Sequence, residues 1–221
     1  ITKVKPNIIL TGISGPDFGI DEVLLKIADH LKIPSYSLQS YWGQINNSLG
    51  KLPKNIFVID LFSKKETKKK CTSNLIISGT PFYETYNNLS IEKIFQEHKE
   101  KVTYKEYVLK IGLYAQPFYK IPGYKKTIIS FVEEISKITL KTVIYYRPHP
   151  KETKIQTKWA ISKLKESGHK IKIDHMKLEK SLIFNDAVVS CSSMCGYDLQ
   201  QMNVRSNIPL GLPIFLMYNK E

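Results

Sequence analysis

Arginine is nearly absent from this chain: of 33 basic residues only Arg147 and Arg205 are arginine. Base-edge readout and bidentate phosphate clamps favour arginine. Specific nucleic-acid recognition is therefore not expected, even though the formal net charge is +13. Cysteine is scarce too. Cys71, Cys191 and Cys195 are odd in number and have no C-x-x-C spacing, which suits neither a disulfide framework nor a zinc knuckle. They read as free thiols of a reducing cytoplasm. No apolar run approaches the roughly 20 residues of a membrane span, and Ile1 to Pro6 leads into a strand without a signal-peptide pattern. His30, His98, His169 and His175 lack thiol or carboxylate partners at ligand spacing, so no metal site is expected. G-x-S-x-G, G-x-G-x-x-G and the P-loop Gly-Lys-Ser/Thr are also missing.

What the chain does have is lysine, in a run from Lys64 to Lys70 and spread over helix faces. The plain reading is a solvated basic surface. The functional one is attraction to anionic lipid or to an acidic polymer.

Short β-branched runs alternate with helical periods. Strands are expected over 7–10, 33–38, 55–60, 74–79, 107–114, 142–146, 170–173, 187–190 and 213–217. Helices are expected over 21–31, just after Ser63, in the polar segment between Pro81 and about Lys105, and over 123–137, 155–167, 178–184 and 195–202. This alternation predicts an α/β fold of parallel sheets built from β-α-β units, whose ligands bind beyond the C-terminal strand ends. Turn chemistry and charge cluster between two strand sets. That predicts an N-terminal domain over 1–80, a linker over 81–104 and a C-terminal domain over 105–221.

Two strand-to-loop junctions carry the chemistry. Asp186 to Asp198 runs from a short apolar strand into Ser192 and Ser193 and then a helix start. Exposed N–H groups and the helix dipole favour a phosphate there, Gly196 permits close packing, and Asp198 suits ribose hydroxyls. A plain helix cap explains the serines as well. Arg147-Pro148-His149-Pro150 follows another strand and holds a cation and an imidazole between stiffening prolines. Arg147 and His149 suit a diphosphate, and His149, titrating near neutrality, suits a proton donor to a leaving oxygen. A third loop, Thr11 to Gly19, with the helix start after it, offers Ser14, Asp17, Asp21 and Glu22 as acceptor contacts or a general base; Tyr41-Trp42-Gly43, after the second strand, suits stacking on a sugar or covering the core.

The run Asp186–Asp198 resembles the D-x-V-x-S-x-x-S-x-x-G-x-E element of GT-B-type glycosyltransferases and the related UDP-N-acetylglucosamine 2-epimerases. Arg147-Pro148-His149-Pro150 is similar to their R-x-H-P loop. Ile33-Pro34-Ser35 with Tyr41-Trp42-Gly43, and Ile77-Ser78-Gly79-Thr80-Pro81, resemble their G-I-P-S … D-x-W and V-T-G-N-P stretches. The resemblance implies two Rossmann-like parallel-sheet domains, GT-B-like, the N-terminal one shortened, since each such half needs roughly 150 residues. It places Arg147, His149, Ser192, Ser193, Gly196 and Asp198 on the nucleotide diphosphate. Ser14 and Trp42 fall on the acceptor side, with His149 and Asp17 as catalytic groups. The family usually has Glu where this chain has the shorter Asp198.

The activity so implied is a metal-independent glycosyltransferase building a cell-surface glycan. It uses a nucleotide sugar as substrate and no further cofactor. An anionic or lipid-linked glycan would be its acceptor, in the cytoplasm or peripherally at the inner membrane face. A 2-epimerase on the same scaffold and a nucleotide-sugar-binding module without turnover remain the alternatives.

Overall fold

The computed structural model describes residues 4–15, 17–98, 108–191 and 193–217. The chain forms two compact units, residues 1–85 and 86–221. Both are α/β with wholly parallel sheets.

The first unit runs β1 (Ile9–Thr11), α1 (Ile20–His30), β2 (Ser35–Leu38), β3 (Asn55–Val58), α2 (Leu61–Lys68) and β4 (Asn74–Ile77), with strand order β1-β2-β3-β4. Strand alternation turns Ile9, Thr11, Ser35, Ser37, Ile56, Val58 and Leu75 inward. Asp60 was expected to end a strand and the helix to start after Ser63. Instead β3 stops at Val58, and the Asp60 carboxylate accepts the Ser63 N–H at 2.7 Å, so α2 begins at Leu61.

Much of this interior is polar. Thr11 and Ser37 share a hydroxyl hydrogen bond of 2.7 Å. The buried Gln39 amide donates to the Gln44 carbonyl (2.7 Å) and to Thr67 Oγ1 (2.8 Å), and its oxygen accepts from Ser63 Oγ (2.6 Å). A small apolar cluster of Ile56, Val58 and Leu75, with Cys71 against it, and the buried Ile9, Leu25 and Ala28 complete it.

The stretch expected as a linker carries a 3-10 helix (Pro81–Asn88) and α3 (Ile91–His98). In the second unit these lead to β5 (Leu109–Tyr114), α4 (Tyr124–Ile135), β6 (Thr142–Arg147), α5 (Lys154–Lys165), β7 (Lys170–Ile173), α6 (Leu178–Phe184), β8 (Ala187–Ser190), α7 (Cys195–Arg205) and β9 (Leu212–Phe215). The strand order is β7-β6-β5-β8-β9. Ile111, Leu113, Ile144, Tyr146 and Val189 bury one sheet face against Ile128, Phe131, Val132 and Ile135 of α4 and Ala160 and Leu164 of α5. Gly123 starts α4 from a left-handed φ of +87°, which a residue with a Cβ adopts only under strain. Among the described residues no helix is long and apolar enough to cross a membrane.

Candidate functional site

The order of the second sheet fixes where a ligand goes. From β5 the chain builds outward to β6 and β7, then returns to β8 and β9 on the other side of β5. Open parallel sheets bind ligands outside the carboxyl ends of the strands at such a reversal, here between β5 and β8. Arg147 ends β6, Tyr114 ends β5 and Ser190 ends β8, and the register pairs Tyr114 with both others. The two junctions singled out in the sequence thus flank one strand, roughly 10 Å apart at two strand spacings.

Arg147 is held rather than loose. Its Nη1 donates to Asp174 Oδ2 (3.0 Å) and to the Met176 carbonyl (2.8 Å). The Asp174 side chain is 1% exposed and also takes the Met176 N–H (2.8 Å) and the Ser181 hydroxyl. Ser181 Oγ in turn lies 2.6 Å from the Tyr114 hydroxyl, where Asn185 also donates at 3.4 Å. Burial raises the Tyr114 pKa well above the usual phenol value. Of the five guanidinium N–H groups, those on Nε and Nη2 take no hydrogen-bond acceptor among the described residues. That edge is the one suited to a two-pronged contact with phosphate oxygens.

The His149 loop is braced from below. Glu152 Oε1 accepts from the Tyr119 hydroxyl (2.8 Å) and the Tyr146 hydroxyl (2.5 Å), and Oε2 accepts the His149 N–H (3.1 Å). Burial pushes both phenols up, so they remain donors at neutral pH. His149 Nδ1 accepts the Lys151 N–H at 3.0 Å, which leaves the proton of the neutral ring on Nε2. Burial and then the charge of Lys151 lower its pKa, with Glu152 opposing. The neutral ring is therefore the dominant form near pH 7, and it offers one uncharged N–H donor.

At the other junction, Ser193 Oγ accepts the Cys195 N–H at 3.3 Å as a local turn contact, while Met194 is the N-cap of α7 and offers no side-chain cap. Ser192 lies outside the described residues. Burial pushes the Cys195 thiol up, and Arg147 is near enough for its charge to pull it back down. The cation and the start of α7 therefore share one neighbourhood. The Ser190 hydroxyl, fully buried at the end of β8, has no hydrogen-bond partner among the described residues. A Cβ on Gly196 would fall 2.6 Å from the Phe215 ring, so this glycine lets α7 sit directly on β9. Asp186, the first residue of the motif, ties β8 to β5 by accepting the Lys110 N–H at 2.9 Å.

Asp198 does not stand open to solvent as a ribose contact requires. It is 2% exposed, pairs with the buried Tyr86 hydroxyl and leaves Oδ1 without a partner among the described residues. Burial pushes its pKa up to about 6, with the Tyr86 hydrogen bond opposing and the Glu179 charge reinforcing. Asp174, Glu152 and Tyr86 were not picked out from sequence. Each acts on a residue distant in the chain, and no local pattern signals it.

In the first unit, Ser14 Oγ donates to Asp21 Oδ2 (3.0 Å), and Glu22 takes the N–H groups of Ser14 (3.1 Å) and Gly19 (2.8 Å). Asn46 holds the Gly15 and Asp17 carbonyls, while the Asp17 residue itself is exposed. Trp42 Nε1 donates to Asp60 Oδ2 at 2.8 Å. The acidic pair Asp21–Glu22 thus shapes the loop. Among the described residues no group of three His, Cys, Asp or Glu side chains comes together as a metal site.

No protein-family model matches the chain, and no curated protein matches it in sequence. Among solved structures, a crystal structure of Acinetobacter baumannii MurG is similar, with a TM-score of 0.53 at 10% identity. The match covers 91% of this chain and 52% of the MurG chain, so this chain spans about half of its length. A likeness at that identity speaks for the fold: two Rossmann-like parallel-sheet units of the kind found in the GT-B glycosyltransferase MurG.

Proposed function

We propose that this chain is glycosyltransferase-like and binds the diphosphate of a nucleotide sugar at the C-terminal ends of β5, β6 and β8. One observation carries the reading. The unengaged Nε/Nη2 edge of Arg147 lies near the start of α7, at the point where the strand order reverses. The guanidinium, the helix dipole and the neutral His149 N–H would together take up the charge that develops on a leaving diphosphate. Asp174 and Glu152 act beneath them as positioning residues. An anionic or lipid-linked glycan as acceptor belongs to the same proposal.

A binding module without turnover is the second reading. Both acceptor-side residues favour it, since the Ser14 hydroxyl and the Trp42 N–H are already engaged by Asp21 and Asp60.

Thermal shift against UDP-, CMP-, CDP- and GDP-sugars tests the site. Ligand at a hundred times its dissociation constant stabilises by about 2.7 kcal/mol, a shift of several degrees with one base. Arg147→Ala/Asp174→Asn, which removes the guanidinium without stranding a buried carboxylate, should abolish that shift. No shift with any nucleotide sugar would sink the proposal. Release of free nucleoside diphosphate on adding acceptor then separates transfer from silent binding, and a 2-epimer formed without acceptor would identify the epimerase.

A further inference from the structure

Helix α2 of the first unit joins an exposed apolar first turn to a run of lysines. Ser63 and Thr67, one turn apart, point inward to Gln39. On the opposite side Leu61 is 77% and Phe62 60% exposed, next to each other at the first turn. Lys65 follows Leu61 by four residues and Lys68 follows Lys64 by four, so each pair lies along one face. Five of the chain's lysines fall between positions 64 and 70.

The local acids do not cancel this charge. Glu66 pairs with Lys69 at 2.5 Å, and both Asp60 oxygens are engaged, by Ser63 N–H and Trp42 Nε1. Lys70 is tied to the Gly43 carbonyl at 2.9 Å. Lys64, Lys65 and Lys68 remain, exposed and in no ion pair among the described residues, with Glu66 already held by Lys69.

Helix-dipole complementarity accounts for lysines in a last turn, but not for two large apolar side chains standing in water at the first. Single exposed apolar residues are ordinary. An apolar pair continuous with unpaired ammonium groups is the composition of a segment that lies in a lipid interface. A soluble polyanion would match the lysines alone, and Leu61 and Phe62 would gain nothing from it.

We propose that α2 is a docking surface for an anionic lipid bilayer. Leu61 and Phe62 enter the headgroup–acyl boundary while Lys64, Lys65 and Lys68 meet the lipid phosphates. This inference stands on the first unit alone and does not depend on the nucleotide-sugar reading.

Flotation of the full chain with vesicles of phosphatidylcholine, with and without 30 mol% phosphatidylglycerol, tests it at about 0.15 M salt. Binding is expected on the anionic vesicles, and it should fall as salt rises. Each lysine at the surface is worth roughly a fivefold change in partition. Lys64→Gln/Lys65→Gln/Lys68→Gln should therefore weaken binding roughly a hundredfold. Leu61→Ser/Phe62→Ser should weaken vesicle binding at least tenfold and leave retention on a polyphosphate column unchanged. All five positions are solvent-facing and the Asp60 cap is kept, so circular dichroism should match the parent.

Equal binding to neutral vesicles would overturn the proposal. So would wild-type vesicle binding by the serine variant, which would make α2 a polyanion site instead. An equal loss from Lys154→Gln/Lys158→Gln/Lys165→Gln on α5 would also overturn it, since net charge would then suffice.

Discussion

Arg147→Ala should destabilise the second unit even with no ligand present. The substitution removes two hydrogen bonds made by Nη1, to Asp174 and to the Met176 carbonyl, and leaves a carboxylate whose side chain is 1% exposed. A hydrogen bond to a charged group is worth about 1.5–3 kcal/mol, and removing one partner of a buried pair costs about 3–5 kcal/mol. Here the Met176 N–H and the Ser181 hydroxyl still serve Asp174, and the arginine side chain is 26% exposed. The low end applies, about 2–3 kcal/mol, or a fall in Tm of roughly 4–10 °C for a protein of this size. Asp174→Asn in the Arg147→Ala background should recover about half of it, because the amide no longer strands a charge. Urea and thermal unfolding of the four proteins of this double-mutant cycle measure the coupling. Strict additivity, or an Arg147→Ala protein melting within 1 °C of the parent, would refute the claim that Asp174 positions this arginine.

Asp198 gives a prediction with a sign. Its folded pKa of about 6 lies above the ordinary 3.8, so the folded state holds the proton more tightly than the unfolded chain. The resulting stabilisation is complete below about pH 4 and is lost as the pH rises through about 6. Asp198→Asn should raise the Tm at pH 7–8, by up to about 3 kcal/mol of stability, and change little at pH 4. A Tm gain of equal size at both pH values would contradict it. In the first unit, Gln39→Leu leaves Ser63, Thr67 and the Gln44 carbonyl without their buried partner and should cost about 2–4 kcal/mol. Hydrogen exchange should speed up within 1–85 and not at β5, β6 or β8; uniform acceleration would argue against two separately packed units.

The strands and helices were legible because their signal is local. Leu178–Phe184, Lys170–Ile173 and Ala187–Ser190 read from apolar spacing alone and fold over those same residues. The order of the strands is a different matter. Only the pairing of Tyr114 with both Arg147 and Ser190 shows that the Arg147 loop and the α7 start flank one strand. The roles of individual side chains were legible to a lesser degree. Gly196 reads as a residue that permits close packing, but only the fold shows that its partner is Phe215, nineteen positions later. Asp198 reads as an open carboxylate, and Tyr86, more than a hundred residues earlier, covers it. Gln39, Ser63 and Thr67 read as surface residues by type. They are buried because each satisfies another's hydrogen-bonding groups, a condition that no single position reveals.

That polar interior has a calorimetric consequence. Exposing apolar surface on unfolding raises the heat capacity, whereas exposing polar surface lowers it. The first unit buries Thr11, Ser37, Gln39, Ser63 and Thr67 beside a small cluster of Ile56, Val58 and Leu75, while the second buries an extended aliphatic and aromatic core. Residue for residue, the first unit should unfold with the smaller heat-capacity increment. Its stability would then follow a flatter curve in temperature, and cooling toward 0 °C should weaken the second unit more than the first.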